Sequence, residues 1–341
     1  MSRSKALQYY ILARVLLAPL MLWLIVTLVF LLLRATPGDP VDAIYGARAS
    51  AEAKEQLRQQ LGLDLPLGLQ YLNYLGRLLQ LDLGTSLTSR GQTVWDIIGL
   101  HFPATMELAV CSMGVALAIG ITIGTLAASR PNTPLDVGAR LFSIITYSVP
   151  PFWAGMLLQL IFAVELQWFP LGTRFALGET PPQGPTGLYV MDSILSGNLG
   201  QLWVSIHHLA LPSLTLGLLL SGIFERIVRV NLQQTLKADY VEAAKARGIP
   251  ELRILLSHAL KNALIPVITI LGLTLAALLG GAVLTEVTFS WPGLGNRLYE
   301  AISDRDYTTV QGVVVFFASI VVMASIAIDI LNAYVDPRIR Y

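Results

Sequence analysis

Few side chains in this sequence are equipped for bond-making chemistry. The histidines are His101, His207, His208 and His258, and Cys111 is the single cysteine. One cysteine cannot close an internal disulfide, and no spacing suits a zinc site. Cys111 is read as a small buried apolar residue in a span. Adjacent side chains on a helix project about 100° apart, so His207 and His208 cannot easily reach one ion from one helix. They are read as capping or packing residues near Pro212. No G-x-x-x-x-G-K-[ST] phosphate loop, H-E-x-x-H or G-x-S-x-G occurs. The expectation is therefore no catalytic residue, no metal site and no ATP hydrolysis by this chain.

The sequence is better equipped for docking. The stretch "DYVEAAKARGIPELRILLSHALKNALIP", residues 239–266, is polar and basic within a greasy chain. Asp239 followed by Glu242 resembles a capping box with Asp239 as the N-cap. The helix runs through "YVEAAKAR", and Gly248 supplies the left-handed residue that stops it. Pro250 suits the first turn of a second helix, where Glu251 sits at the positive end. That helix carries Leu252, Leu255, Leu256, Ala259, Leu260 and Ala263 on one face. Ala243 and Ala244 are small enough for close approach, and Lys245 and Arg247 lie beside them. From the residues alone the pair is either a protein-docking element or an interfacial helix lying on anionic lipid.

The elements that must position this pair are apolar. The chain has 341 residues, 54% of them hydrophobic and 13% charged, with mean hydropathy +0.63. Runs of about 18 or more apolar residues are membrane spans. Six windows qualify, near 15–33, 105–128, 141–164, 203–223, 265–284 and 310–331. In lipid they must be helices, since every backbone group needs an internal partner. The first is too long for a signal-peptide core and is read as an uncleaved helix. The net charge of +1 and the lack of a concentrated basic face give no case for nucleic acid.

Orientation follows from lysine and arginine in the short loops. With the N-terminus in the cytoplasm, the inner segments carry Arg3, Lys5, Arg14, Arg130, Arg140, Arg226, Arg229, Lys237, Lys245, Arg247, Arg253, Lys261, Arg338 and Arg340. The short outer loops carry only Arg174, Arg297 and Arg305. Both termini are expected to be cytoplasmic. "SAEAKEQLRQQLG" offers Ser50 as an N-cap and Gly62 as a stop. "QYLNYLGRLLQLDLG" sets Tyr71, Leu72, Leu75, Leu78 and Leu79 on one face. Residues 35–104 are thus read as an outer helical segment, and 165–202, with "ETPPQGPTG", as an irregular loop.

Charges near the spans are few. Glu107 lies near the outer end of span two and Asp329 near the inner end of span six, where anchoring or a structural pair fits as well as function. No charge occupies a midplane position, which argues against a proton-coupled carrier. Pro150 and Pro151 remove two backbone donors in span three and predict a kink. With Ser148 they are candidates for lining a pathway. Gly114, Gly120, Gly124, Gly280 and Gly281 suit close helix packing.

Glu242-Ala243-Ala244, three residues, then Gly248 resembles the EAA loop of ABC importer permeases. "RILLSHALKNALIP" is similar to the dipeptide/oligopeptide/nickel branch of that family. So are "ATPGDP", "LGLDLPLGLQYLNYLGRLLQLDLGTSL", "PATMELA", "FSWPGLGNRLYEAISDRDYTTVQG" and "DPRIR". The resemblance covers nearly the whole chain; Lys261 departs from the broader EAA pattern, which has proline there. It implies an all-α integral membrane protein with six transmembrane helices and the type I ABC importer permease fold. The parts would be 1–34, an extracytoplasmic segment 35–104, and a five-helix core 105–341 with the cytoplasmic coupling loop 224–264.

By the same resemblance, Asp239, Tyr240, Glu242, Ala243, Ala244, Arg247, Gly248 and Leu252 would couple to two cytoplasmic ATPase subunits. Those partners would bind ATP and Mg; this chain would hold no cofactor. A second related permease and an extracytoplasmic solute-binding protein would complete a bacterial plasma-membrane importer. Trp291, Asp304 and Asp306, with residues 35–104, would receive the binding protein. Cargo stays open among dipeptides, oligopeptides, glutathione and nickel chelates. The rival reading, a self-contained secondary transporter or channel, predicts inverted repeats or buried charges. A membrane enzyme stands third.

Overall fold

A computed structural model of the chain describes residues 3–35, 41, 50–60, 62–89 and 91–335. Residues 36–40 of "ATPGDP", and "DPRIR" with Arg338 and Arg340, lie outside the described residues. Among those described, the chain is helical apart from turns and one isolated antiparallel bridge, Thr85 to Thr93.

Among the described residues, four helices are long and apolar enough to cross a membrane, or up to six spans if each of two bent pairs counts as one. The first is α1, Arg3–Ala35. Two short helices follow, α2 (Ala51–Gln60) and α3 (Leu67–Leu79). Ser50 Oγ accepts from Ala53 N at 3.2 Å, and Gly62 has φ +65°, the start and stop expected there. The buried face of α3 differs from the expected one. Tyr74 is buried and Tyr71, Leu75 and Leu78 are half-buried against Val26 and Phe30 of α1. Leu72 and Leu79 are exposed, because the i, i+3, i+4, i+7 row runs from Tyr71 through Leu78.

Span two is longer than its apolar window. Helix α4 covers Val94–Ser129, opened by a capping box in which Thr93 and Asp96 satisfy each other's backbone donors. The expected boundary at 104 therefore falls inside a helix. Helix α5 (Pro134–Ser148) and α6 (Pro151–Glu165, π-helical from Gln159) form the first bent pair, at 103°. Val149 and Pro150 each precede a proline and are extended, with ψ 125° and 133°. The proline ring excludes the helical region for its predecessor, so two successive prolines convert the expected kink into a corner.

The 165–202 segment is not wholly irregular. It contains α7 (Tyr189–Leu195) and the start of α8 (Leu199–Thr235). Helices α4 and α8 form the central pair. A Cβ on Gly120 would meet Ser221 O at 2.7 Å, and one on Gly124 would meet Glu225 O at 2.8 Å. Glycine at these positions lets the two backbones touch. Gly114 has open space and makes no such contact.

Beyond α8 come α9 (Asp239–Ala246) and α10 (Glu251–Ala263). Helix α10 meets α11 (Ile265–Leu279) at 51°, forming the second bent pair. The expected fifth window ran to 284. Gly281, at φ +111°, turns the chain after α11 instead, and α12 (Val283–Thr288) follows. Helices α13 (Leu294–Ser303) and α14 (Tyr307–Val335) complete the fold. The start of α4 packs with Leu83, Leu294 and Val313. Its other end packs with Ala259 and Ala263 of α10. The bundle thus has an α3 end and an opposite α9 end.

Candidate functional site

Gly248, at φ +74°, ends α9. Gly248 N donates to Lys245 O at 2.9 Å, and Ile249 N to Ala244 O at 3.3 Å. This is a Schellman stop, the pattern that a left-handed residue after a helix permits. Ile249 then folds back on Val241, Ala244 and Ile254, which form a small core of their own.

The N-terminus differs from expectation. Ala238 is the N-cap and no side chain caps it; Asp239 is already helical, so the capping box is absent. Asp239 and Glu242 instead lie in the first turn, where the helix dipole favours acids. Tyr240 OH accepts a hydrogen bond from Asn262 Nδ2 of α10 at 2.9 Å, tying the two helices.

Asp239, Tyr240, Glu242, Ala243, Arg247, Gly248 and Leu252 all reach the surface. Ala244 does not. It is 6% exposed and faces the small core, so its size serves contact within the element and not with a partner. The buried face of α10 is also shifted. Ile254, Ala259 and Ala263 are buried, whereas Leu252 and Leu256 are 67% and 48% exposed. Residues Ile254–Ala259 are π-helical, and the wider turn aligns positions five apart. Ala259 and Ala263 pack on Ala128 of α4 and Leu232 of α8. The α9–α10 element is therefore seated directly on the central pair of spans.

A charge cluster ties the same region to α5. Arg229 Nε donates to Glu225 Oε1 at 2.8 Å, and Arg229 Nη1 approaches Asp136 Oδ1 at 3.5 Å. Arg140 Nη2 donates to Asp136 Oδ2 at 2.6 Å. Both carboxylates are fully buried. The sequence reading used Arg140 and Arg229 only as markers of orientation and passed over Asp136 and Glu225. The i, i+4 spacing of Asp136 with Arg140, and of Glu225 with Arg229, was the available signal.

At the α3 end, Trp291 and Asp306 contradict a surface role. Trp291 is 0% exposed, and its Nε1 donates to Ala104 O at 2.9 Å. Asp306 is also 0% exposed and accepts from Thr88 Oγ1 at 3.1 Å and Thr309 Oγ1 at 2.8 Å, with Ser86 Oγ as a further donor. A polar or aromatic side chain with its partners inside the fold cannot also face a second protein. Asp304 is exposed beside Glu300 and Arg305.

Glu286 is fully buried and accepts from Thr105 Oγ1 at 2.6 Å and Asn296 N at 2.8 Å. Burial pushes its carboxyl above the usual range, against the Thr105 and backbone donors. Sequence reading did not single it out. Glu107 is a structural pair: Arg174 Nε and Nη2 reach its Oε2 at 3.0 and 2.8 Å. Asp329 pairs with Arg14 at 3.1 Å.

His207 Nε2 contacts Trp168 O at 2.7 Å, and His208 Nδ1 contacts Gly172 O at 3.2 Å. Among the described residues, no group of three or more His, Cys, Asp or Glu is placed to hold a metal ion. Ser148, Pro150 and Pro151 are exposed at the corner, next to Tyr147, Phe152 and Trp153.

Long apolar helices, a corner at paired prolines and a polar helix pair seated on the central spans define a multi-pass α-helical membrane protein. The chain belongs to the binding-protein-dependent transport system inner membrane component family, whose profile matches residues 120–341. The N-terminal companion profile of that family matches residues 7–109, and the fold is that of type I ABC importer permeases. Among similar proteins is the di/tripeptide transport system permease protein of Pseudomonas aeruginosa (strain UCBPP-PA14). It is 40% identical over 92% of this chain and 93% of its own length. The dipeptide transport system permease protein of Escherichia coli (strain K12) is 38% identical over 93% of this chain and 94% of its own. The oligopeptide transport system permease protein of Bacillus subtilis (strain 168) is 36% identical over 97% and 99%.

Proposed function

We propose that this chain is a permease subunit of an ATP-driven importer that moves peptides across the bacterial plasma membrane by alternating access. The observation that carries the reading is the seating of α9–α10 on Ala128 and Leu232. A displacement applied to the exposed face of α9 passes to α4 and α8 without an intervening flexible segment. Two cytoplasmic ATPase subunits, binding ATP and Mg, are the source of that displacement. The α9 end is then cytoplasmic, as are both termini.

A second related permease completes the pathway, and Ser148, Pro150 and Pro151 at the exposed corner are candidates to line it. A solute-binding protein docks at the α3 end. Asp304 and Tyr299, the latter 52% exposed, are better placed for that contact than Trp291 or Asp306. Peptide cargo is supported by the names of the relatives, all at similar identity over nearly full length.

The test is site-specific cross-linking from Ala243→Cys, in a Cys111→Ala background, in membranes containing the whole complex. Cross-links to the ATPase subunits that respond to ATP support the reading. Labelling by lipid-phase reagents alone, with no ATPase adduct, contradicts it.

A further inference from the structure

A cavity of about 690 Å³ opens at the α3 end between α1, α3 and the first turn of α14. Its polar lining includes Arg34, Gln70, Tyr74, Arg77 and Gln311, and no Asp or Glu is among the described lining residues. Three buried donors there have no hydrogen-bond partner among the described residues: Arg34 Nη1, Tyr74 OH and Gln311 Nε2. Tyr74 and Gln311 are only 8% and 7% exposed. A buried polar atom left unpaired loses its hydration without gaining a partner. Three in one cavity, one of them on a guanidinium, call for a ligand.

The chemistry of that ligand follows from the donors. Arg34 is held from behind: its Nε donates to Gln70 Oε1 at 2.9 Å. Gln70 is fixed in turn by donating to Leu63 O and Leu65 O, at 3.2 and 2.8 Å. The guanidinium also lies over the Phe30 ring at 5.0 Å from its centroid. Its Nη1 is buried without a hydrogen-bond partner among the described residues. Burial pushes the Tyr74 hydroxyl above its ordinary range, opposed by Arg77, so it stays protonated and donates. Arginine, phenol and amide donors around a cavity without a carboxylate match an oxyanion. Arg77, exposed at the rim, adds positive charge to the entrance.

The position narrows the source. Arg34 is the penultimate residue of an apolar run of 22 residues, Arg14–Ala35. Such a run spans the hydrocarbon core, so its end lies at headgroup level. Leu24, Leu28, Leu31 and Leu32, all more than half exposed, lead along α1 towards the cavity. We propose that the cavity binds a phosphate group, carried by a phospholipid headgroup with its acyl chains along α1, or free as inorganic phosphate. The proposal does not depend on cargo or on the direction of transport.

The test uses the full chain purified in detergent, with Arg34→Gln and Tyr74→Phe variants. Tyr74→Phe removes one unpartnered hydroxyl and nothing else, so it keeps the test valid if Arg34→Gln fails to fold. Native mass spectrometry counts phospholipid retained after washing. The expected result is one lipid held by the parent chain and about tenfold weaker retention in each folded variant, the size of one lost charge-assisted hydrogen bond. In a second arm, inorganic phosphate is added to delipidated protein. A rise in thermal midpoint in the parent, reduced in the variants, assigns the site to free phosphate. If lipid retention and phosphate response are the same in parent and Tyr74→Phe, the site holds no phosphate and the proposal is wrong.

Discussion

Asp306 shows how a single buried acid organises a loop. Its oxygens accept from Ser86, Thr88 and Thr309, joining the turn before α4 to the start of α14. Burial alone would raise its pKa, but the donors from Ser86 and Thr309 outweigh it and hold the carboxyl below the usual range. A depressed folded pKa means the stabilisation is complete above the unfolded value, about 3.9, and is lost as pH falls through the lower folded value. Asp306→Asn should therefore cost about 1.5–3 kcal/mol at neutral pH, the range for hydrogen bonds to a charged group. Thermal unfolding measured from pH 7 down to pH 3 should show the difference shrinking at the acid end. A gap that stays constant, or grows with acid, contradicts the assignment. The sequence reading saw Asp306 and Trp291 only as members of a surface motif. Residue type and spacing locate such a motif, but burial is set by contacts with Ser86 and Ala104, roughly two hundred positions away.

Elements differ in how far local rules reach. The stop at Gly248, the start at Ser50 and the break at Pro150-Pro151 were legible because each depends on backbone preferences of one or two residues. The buried faces of α3 and α10 were not fully legible. In α10 a π-helical stretch shifts the phase, so Ile254 faces inward and Leu252 outward. Ile254 packs on Val241 and Ala244 of α9, and Ala259 on Ala128 and Leu232, contacts that a 3.6-residue period does not encode. The Asp136–Arg229–Glu225 cluster extends the same point to charge. Arg229 is 10% exposed and Arg140 50%. Removing Arg229 leaves the buried Glu225 without its arginine, at a cost of about 3–5 kcal/mol, while Asp136 keeps Arg140. Arg229→Met should therefore destabilise strongly, whereas after Arg140→Met the buried Asp136 keeps Arg229 and the Asn132 N–H and the loss should be smaller. Comparable losses for both variants, in detergent thermal-stability measurements, would sink this division.

At the scale of the molecule, the α3 end and the α9 end are expected on opposite sides of the membrane. Leu79 is 87% exposed at the first, and Ser257 is exposed near the second. Single cysteines at these positions, in a Cys111→Ala background, should label with impermeant reagents from opposite sides. Labelling of both in intact cells overturns that topology.

Transmission of motion from α9–α10 to the spans is tested most directly by Gly248→Val. No atom lies within 4 Å of where a Cβ at Gly248 would stand, so the substitution adds backbone strain without a clash. A left-handed conformation costs an L-residue roughly 1–2 kcal/mol, too little to unfold the bundle but enough to shift the angle at which α10 leaves α9. The measurement is peptide uptake by vesicles reconstituted with this subunit and its partners. Gly248→Val is expected to insert and assemble at near-parent levels while uptake falls steeply. Uptake equal to that of the parent would contradict the transmission of motion through this element.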